Sequence, residues 1–153
     1  MKSVIIYLLS IFVANLSFTY LPMLELPLGL MLPPGTFLVG FIFVFRDYAQ
    51  RAVGNWVYAA MAAGVVLSYL MADPFVAIAS AVAFAISEVI DALVFTVSKK
   101  PLKDRILLSS AASTPIDSAV FLVLIGFFDW LGLAVMIVSK MIGAITVWAV
   151  AKE

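Results

Sequence analysis

Residues 73–98 read DPFVAIASAVAFAISEVIDALVFTVS, and this stretch decides the fold. It is longer than the roughly 20 apolar residues that a bilayer-spanning helix needs. Asp73 and Pro74 open it as N-cap and first-turn proline. Glu88 and Asp91 stand deep inside it. An acid at the centre of a membrane helix costs about 2.5–3.5 kcal/mol on insertion scales, so such residues face a bundle interior or a polar cavity and mark function.

The remainder of the chain has the same character. In 153 residues, 65% are hydrophobic and 12% charged, and mean hydropathy is +1.20, more apolar surface than a soluble domain of this size can hide. The class expected is an all-α polytopic membrane protein, a single domain over residues 1–153 with six transmembrane helices in one bundle. Breakers and charges place the other spans at about 3–20, from 33 or 34 past Phe45 towards Arg46 and Asp47, 53–71, 106–128 interrupted by Pro115, and 131–151. The first run lacks a convincing cleavage site and is read as a retained span, not a signal peptide. Pro22, Pro27 and Gly29 break regular structure in the first connection, and Asp129 marks a tight turn. In the third span Ala59, Ala60, Ala62, Ala63 and Gly64 give a small-residue surface for close helix packing, within one subunit or across a homodimer.

Charge placement sets the orientation. Lys2, Arg46, Arg51, Lys99, Lys100, Lys103, Arg105 and Lys152 fall on one side of this topology, whereas the opposite connections hold Glu25, Asp73 and Asp129. The positive-inside rule then puts both termini in the cytoplasm of a multi-pass inner-membrane protein. The basic group at 99–105 also suits anionic lipid or a cytoplasmic partner. No basic run is long enough for nucleic acid. Six spans divide three plus three, a geometry that permits an inverted repeat, although the two halves show no residue repeat.

Histidine and cysteine are absent, which removes imidazole bases, thiolates and nearly every ordinary metal or haem site, so no cofactor or metal is expected. Without a serine-nucleophile motif either, the chain does not read as an enzyme. It also lacks a phosphate-binding Gly-rich loop, so any ATPase would be an external module.

Four buried charges remain as candidates: Glu88, Asp91, Asp117 and Lys140. Glu88 and Asp91 are three residues apart and share a helix face, so they converge on one ligand or repel unless a proton or cation intervenes. Ser110, Ser113 and Asp117 recur at helical spacing beside Pro115, which frees a backbone carbonyl and opens a polar groove. Serine and threonine there also serve simply to satisfy that carbonyl. Lys140 lies too far from either end of its span to snorkel out and needs an internal partner, with Asp117, Glu88 and Asp91 all in contention. Asn15 is a buried amide suited to interhelical bonding or to a polar ring. Arg46, Asp47 and Arg51 crowd the expected cytoplasmic end of the second span as a gate or an interfacial salt bridge, with Asp47 and Arg51 in acid-first i,i+4 order. Phe84, Phe95 and Phe121 could stack on a planar ligand or merely pack.

The segments Arg46-Asp47 with Gln50 and Gly54, Ala83-Phe84-Ala85-Ile86-Ser87-Glu88-Val89-Ile90-Asp91, Ser109-Ser110, and Ile116-Asp117-Ser118-Ala119-Val120-Phe121 together resemble the VUT family, also called the queuosine precursor transporter family. The likeness runs from Asn15 to Lys140. It implies a six-helix inner-membrane importer of 7-deazaguanines such as 7-cyano-7-deazaguanine, precursors of a modified tRNA nucleoside, with an architecture similar to vitamin-binding membrane components. In that light Asn15, Glu88, Asp91, Ser110, Asp117 and Lys140 are the expected substrate-binding residues. A carboxylate can accept from both the ring N–H and the exocyclic amine of a guanine-like edge, and a donor such as Lys140 or Asn15 can address its carbonyl. The same groups suit a cationic amine or a proton. A substrate-binding subunit energised by a separate ATPase is the alternative.

Overall fold

A computed structural model describes residues 2–72 and 76–150; Asp73, Pro74 and Lys152, used above for capping and charge counting, lie outside the described residues. The elements are α1 (Lys2–Tyr20), β1 (Leu24–Leu26), β2 (Leu30–Leu32), α2 (Gly35–Val53), α3 (Val57–Met71), α4 (Ala77–Val97), α5 (Leu102–Leu124) and α6 (Trp130–Val150). The fold is thus helical, apart from one connection. The α1–α2 connection, read as a break in regular structure, is a small antiparallel hairpin pairing Leu24 with Leu32, turned at Pro27–Gly29 where Gly29 has φ 75°.

Among the described residues, five helical segments are long and apolar enough to cross a membrane: Lys2–Tyr20, Gly35–Met71, Ala77–Val97, Leu102–Leu124 and Trp130–Val150. The second comprises α2 and α3 joined by a single 3-10 turn at Gly54–Trp56. Large apolar side chains such as Leu9, Val66, Leu70, Ile78, Leu93, Val138 and Ile145 face outward, the reverse of a water-soluble surface. The chain is built to sit in a membrane.

Helix ends follow local chemistry. α2 does not stop near Arg46 and Asp47 but runs on to Val53, because nothing breaks it before Gly54, whose φ of 57° favours glycine. The charged pair therefore sits within the helix, and α3 begins at Val57, not near 53. α5 starts and ends about one turn earlier than expected. Gly126, at φ 76°, closes it with Gly126 N–H to the Val123 carbonyl and Phe127 N–H to the Leu122 carbonyl, a Schellman ending. Helix continues through Pro115, so the expected interruption is absent; neighbouring helices tolerate a proline at depth. Asp129 accepts from the Gly132 N–H at 2.6 Å and so caps α6.

Contacts between sequence-distant residues give the chain directions. Phe18 lies against Gly35, Ser68 against Ser80, Asp91 against Ser113, and Asp117 against Lys140, so α1/α2, α3/α4, α4/α5 and α5/α6 are antiparallel pairs. Gly64 of α3 packs on Tyr7 and Ile11 of α1. Only part of the small-residue surface of α3 faces inward: Ala60 and Gly64 are buried, whereas Ala59, Ala62 and Ala63 are exposed. Two apolar clusters flank the interior. One joins Tyr7, Ile11, Ile42, Val57, Met61 and Phe84; the other joins Val44, Phe95, Ile106 and Ala144. At the α2–α6 crossing the backbones meet directly, since a Cβ on Gly40 would collide with the Lys140 carbonyl oxygen.

Candidate functional site

The site grows from α2 and α4. Helix α2 is packed against α1, α4, α5 and α6, so Arg46 and Asp47, adjacent in sequence and about 100° apart around the helix, both point into protein. Both are fully buried. The Arg46 guanidinium ion-pairs with Asp47 at 2.8 Å and directly with Asp91 through the same Nη2, and its Nε lies 3.9 Å from Glu88 Oε2. One cation thus serves three carboxylates. Serine hydroxyls reach two of them: Ser109 donates to Asp47 Oδ2 at 2.8 Å and Ser113 to Asp91 Oδ1 at 3.2 Å, while Asp47 Oδ1 makes no hydrogen bond among the described residues. Among the described residues Glu88 receives the Tyr7 hydroxyl alone, at 2.9 Å, and its Oε1 has no hydrogen-bond partner.

A second centre adjoins the first. Ser87, one helical turn before Asp91, donates to Asp117 at 2.9 Å, and Lys140 pairs with Asp117 at 2.6 Å and donates to Ser118 at 2.9 Å. Among the three acids in contention, the partner of Lys140 is therefore Asp117. On α5, Ser109, Ser113, Asp117 and Ser118 spread over one broad buried face that meets α2, α4 and α6. Ser110 and Thr114 lie on the same face, are buried, and have hydroxyls without partners.

Towards the basic side of the bundle the network thins. Arg46 Nη1 donates to Gln50 Oε1, and Gln50 donates to the exposed Thr96 hydroxyl at 2.6 Å. The Phe95 ring is buried between two cations, 5.7 Å from the Arg46 guanidinium and 4.0 Å from that of Arg105. Arg105 also donates twice to the Phe95 carbonyl, at 2.9 and 2.7 Å, tying the start of α5 to the end of α4.

Glu88, Asp91, Asp117 and Lys140 are thus brought together, with Ser110 on the same buried face of α5. Asn15 is not among them: it is buried, but its amide donates to the Ile11 carbonyl of its own helix. The expected trio at the end of α2 separates, because Arg46 and Asp47 join the interior network whereas Arg51 is exposed and Asp47 turns to Arg46 and Ser109 instead. Phe84 packs in the apolar core, and Phe121 is half-buried. The charged groups lie against one another, and two clefts on the outer surface are lined by Ser3, Ile6, Phe45 and Tyr48, and by Tyr48, Thr146, Val147 and Val150. Sequence reading missed Tyr7, Ser87, Ser109 and Ser118; for the serines the available signal was adjacency to an acid or its helix-face neighbour, and for Tyr7 there was none.

A network of this kind can hold and release a polar solute only by exchanging partners, since every charge lies in low dielectric and must stay compensated. No protein-family model, curated protein or solved structure matches this chain.

Proposed function

We propose that the protein is a membrane importer that carries a small polar, purine-like solute by alternating access around the buried network, with 7-cyano-7-deazaguanine or a related 7-deazaguanine as substrate. The observation that carries the transport reading is the burial of six ionisable side chains, Arg46, Asp47, Glu88, Asp91, Asp117 and Lys140, within long apolar helices. Such charges are costly in a membrane and are characteristic of solute and ion pathways. The resemblance of the Ser87-Glu88 to Asp91 and Asp117-Ser118 segments to the VUT family supports the substrate class.

In this reading α1–α6 are six spans of alternating direction in an inner membrane, with both termini cytoplasmic, and the two halves form an inverted pair. Antiparallel contacts between successive helices and the basic residues at one end support it. On this reading the paired network is a closed state. Opening separates carboxylate from cation, and a guanine-like edge replaces the lost partners: Glu88 or Asp91 accepts from the ring N–H and exocyclic amine, and Lys140 donates to the carbonyl. The unpartnered hydroxyls of Ser110 and Thr114 are further contacts for the solute. The protein is a carrier, not an enzyme, and acts without a cofactor.

The test is restoration of queuosine in tRNA of cells unable to make the precursor and supplied with 7-cyano-7-deazaguanine. Wild type restores it, whereas Glu88→Gln and Asp91→Asn insert into the membrane but restore little. No restoration by correctly inserted wild type would reject the substrate class.

A further inference from the structure

The charges in the first centre do not balance. With all groups ionised, Arg46 supplies one positive charge and Asp47, Glu88 and Asp91 three negative ones, while Lys140 is committed to Asp117. An uncompensated charge buried in protein inside a membrane does not persist; it takes up a proton or a counter-ion. The guanidinium already occupies the space the three carboxylates share, and among the described residues no three acids converge in metal-holding geometry.

The three acids are not equivalent. Asp91 touches the guanidinium and accepts from Ser113; Asp47 lies 2.8 Å from the guanidinium and accepts from Ser109. Both lie against the cation, although Asp47 Oδ1, like Glu88 Oε1, makes no hydrogen bond among the described residues. Glu88 is the poorly compensated member, with one phenol donor, a guanidinium nitrogen at 3.9 Å that is beyond hydrogen-bond reach, and a buried Oε1 with no partner. Arg46 Nε, equally buried and without a hydrogen-bond partner, stands across that gap.

We propose that Glu88 carries the coupling proton, held on its carboxyl in the closed state and released towards the basic side of the membrane during uptake. This rests on the transport reading above. The groups facing Glu88 are Tyr7 from α1, Arg46 and Asp47 from α2, Asp91 on its own helix and Asp117 from α5; α3 presents Gly64 and carries no charged residue. On release, the O–H bond of the Glu88 carboxyl breaks, its electron pair stays on oxygen, and the proton passes to water. Arg46 then closes the 3.9 Å gap onto the new carboxylate and loosens from Asp91, which couples deprotonation to movement of α2 against α4. The string from Arg46 through Gln50 to the exposed Thr96 gives a polar way out on the side bearing Arg51, Lys99 and Lys100.

The test uses purified full-length protein in phosphatidylethanolamine–phosphatidylglycerol vesicles. Infrared spectra at neutral pH are expected to show the carbonyl stretch of a protonated carboxyl in wild type, Asp47→Asn and Asp91→Asn, and to lose it in Glu88→Gln. In Tyr7→Phe the band should stay but shift in frequency, because Oε2 loses its donor; this readout serves even if Glu88→Gln fails to fold. Absence of the band in wild type, its persistence in Glu88→Gln, or its disappearance when sodium or potassium replaces choline would overturn the assignment. In the same vesicles an inward proton gradient should accelerate uptake of 7-cyano-7-deazaguanine by wild type, with that dependence lost in Glu88→Gln. Gradient-driven uptake by Glu88→Gln would overturn the coupling. If wild type transports none of this solute, the substrate class fails, while the infrared band still decides where the proton sits.

Discussion

Arg46 on α2 and Asp91 on α4, 45 positions apart in sequence, form a direct ion pair with neither side chain exposed. Their contact joins a helix from each half of the chain, and Asp47 shares the same guanidinium nitrogen. A lysine has neither the planar fork nor the reach to hold Asp47, Asp91 and Gln50 together. Arg46→Lys is expected to insert normally and lower uptake about tenfold to a hundredfold, the equivalent of losing one or two charge-assisted hydrogen bonds. Arg46→Gln leaves the acids with no cation and should destabilise the bundle by about 3–5 kcal/mol. Uptake kinetics and unfolding in mild detergent measure the two effects.

The Asp117–Lys140 pair makes a separate prediction. Removing one partner strands a buried charge, so Lys140→Met alone should cost about 3–5 kcal/mol, whereas Asp117→Asn with Lys140→Met should recover most of the loss. A double-mutant cycle in detergent unfolding gives the coupling directly. Additive losses would contradict the pairing.

Glycines at two places should respond for different reasons. At Gly40 a new Cβ meets the Lys140 backbone, so Gly40→Ala must push α2 from α6 and is expected to cost about 1–3 kcal/mol and disturb Lys140. At Gly54 a Cβ meets nothing within 4 Å, but φ 57° with ψ -133° is a conformation L residues rarely adopt, so Gly54→Ala should cost about 1–3 kcal/mol and leave uptake by the surviving protein unchanged. Thermal unfolding beside uptake per folded molecule separates the two.

Ser109 and Ser110 are neighbours with opposite expectations. Ser109 donates to Asp47, so Ser109→Ala should lower stability by about 1–3 kcal/mol. The Ser110 hydroxyl has no partner among the described residues, so Ser110→Ala should be neutral or slightly stabilising, yet raise the KM for the solute. An unchanged KM would remove Ser110 from the solute's path.

Much of this was legible in the chain. Glu88, Asp91, Asp117 and Lys140 stand out because an ionisable group inside a long apolar run has a physical cost that needs a reason. The choice of Asp117 for Lys140 was not legible, since it depends on how α5 and α6 are registered, and single-helix periodicity is silent on that. Arg46 and Asp47 misled because a charged pair ending a hydrophobic run resembles a membrane boundary. The corrective signal was Gly54, the first residue beyond them able to stop a helix. Tyr7 gave no warning, because a tyrosine near the start of an apolar helix reads equally well as an interfacial anchor. Ser87 and Ser118 each adjoin an acid in sequence, but their hydrogen bonds run to groups on neighbouring helices.

The most direct test of the account is flux of radiolabelled 7-cyano-7-deazaguanine into vesicles containing only the purified protein, with Asp91→Asn and Lys140→Met beside wild type. Wild type should show saturable uptake without ATP or a second protein, and each folded variant a loss of at least about tenfold, or 1.4 kcal/mol. No uptake by wild type, or equal uptake by folded variants, would contradict the claim that the buried network is the transport site.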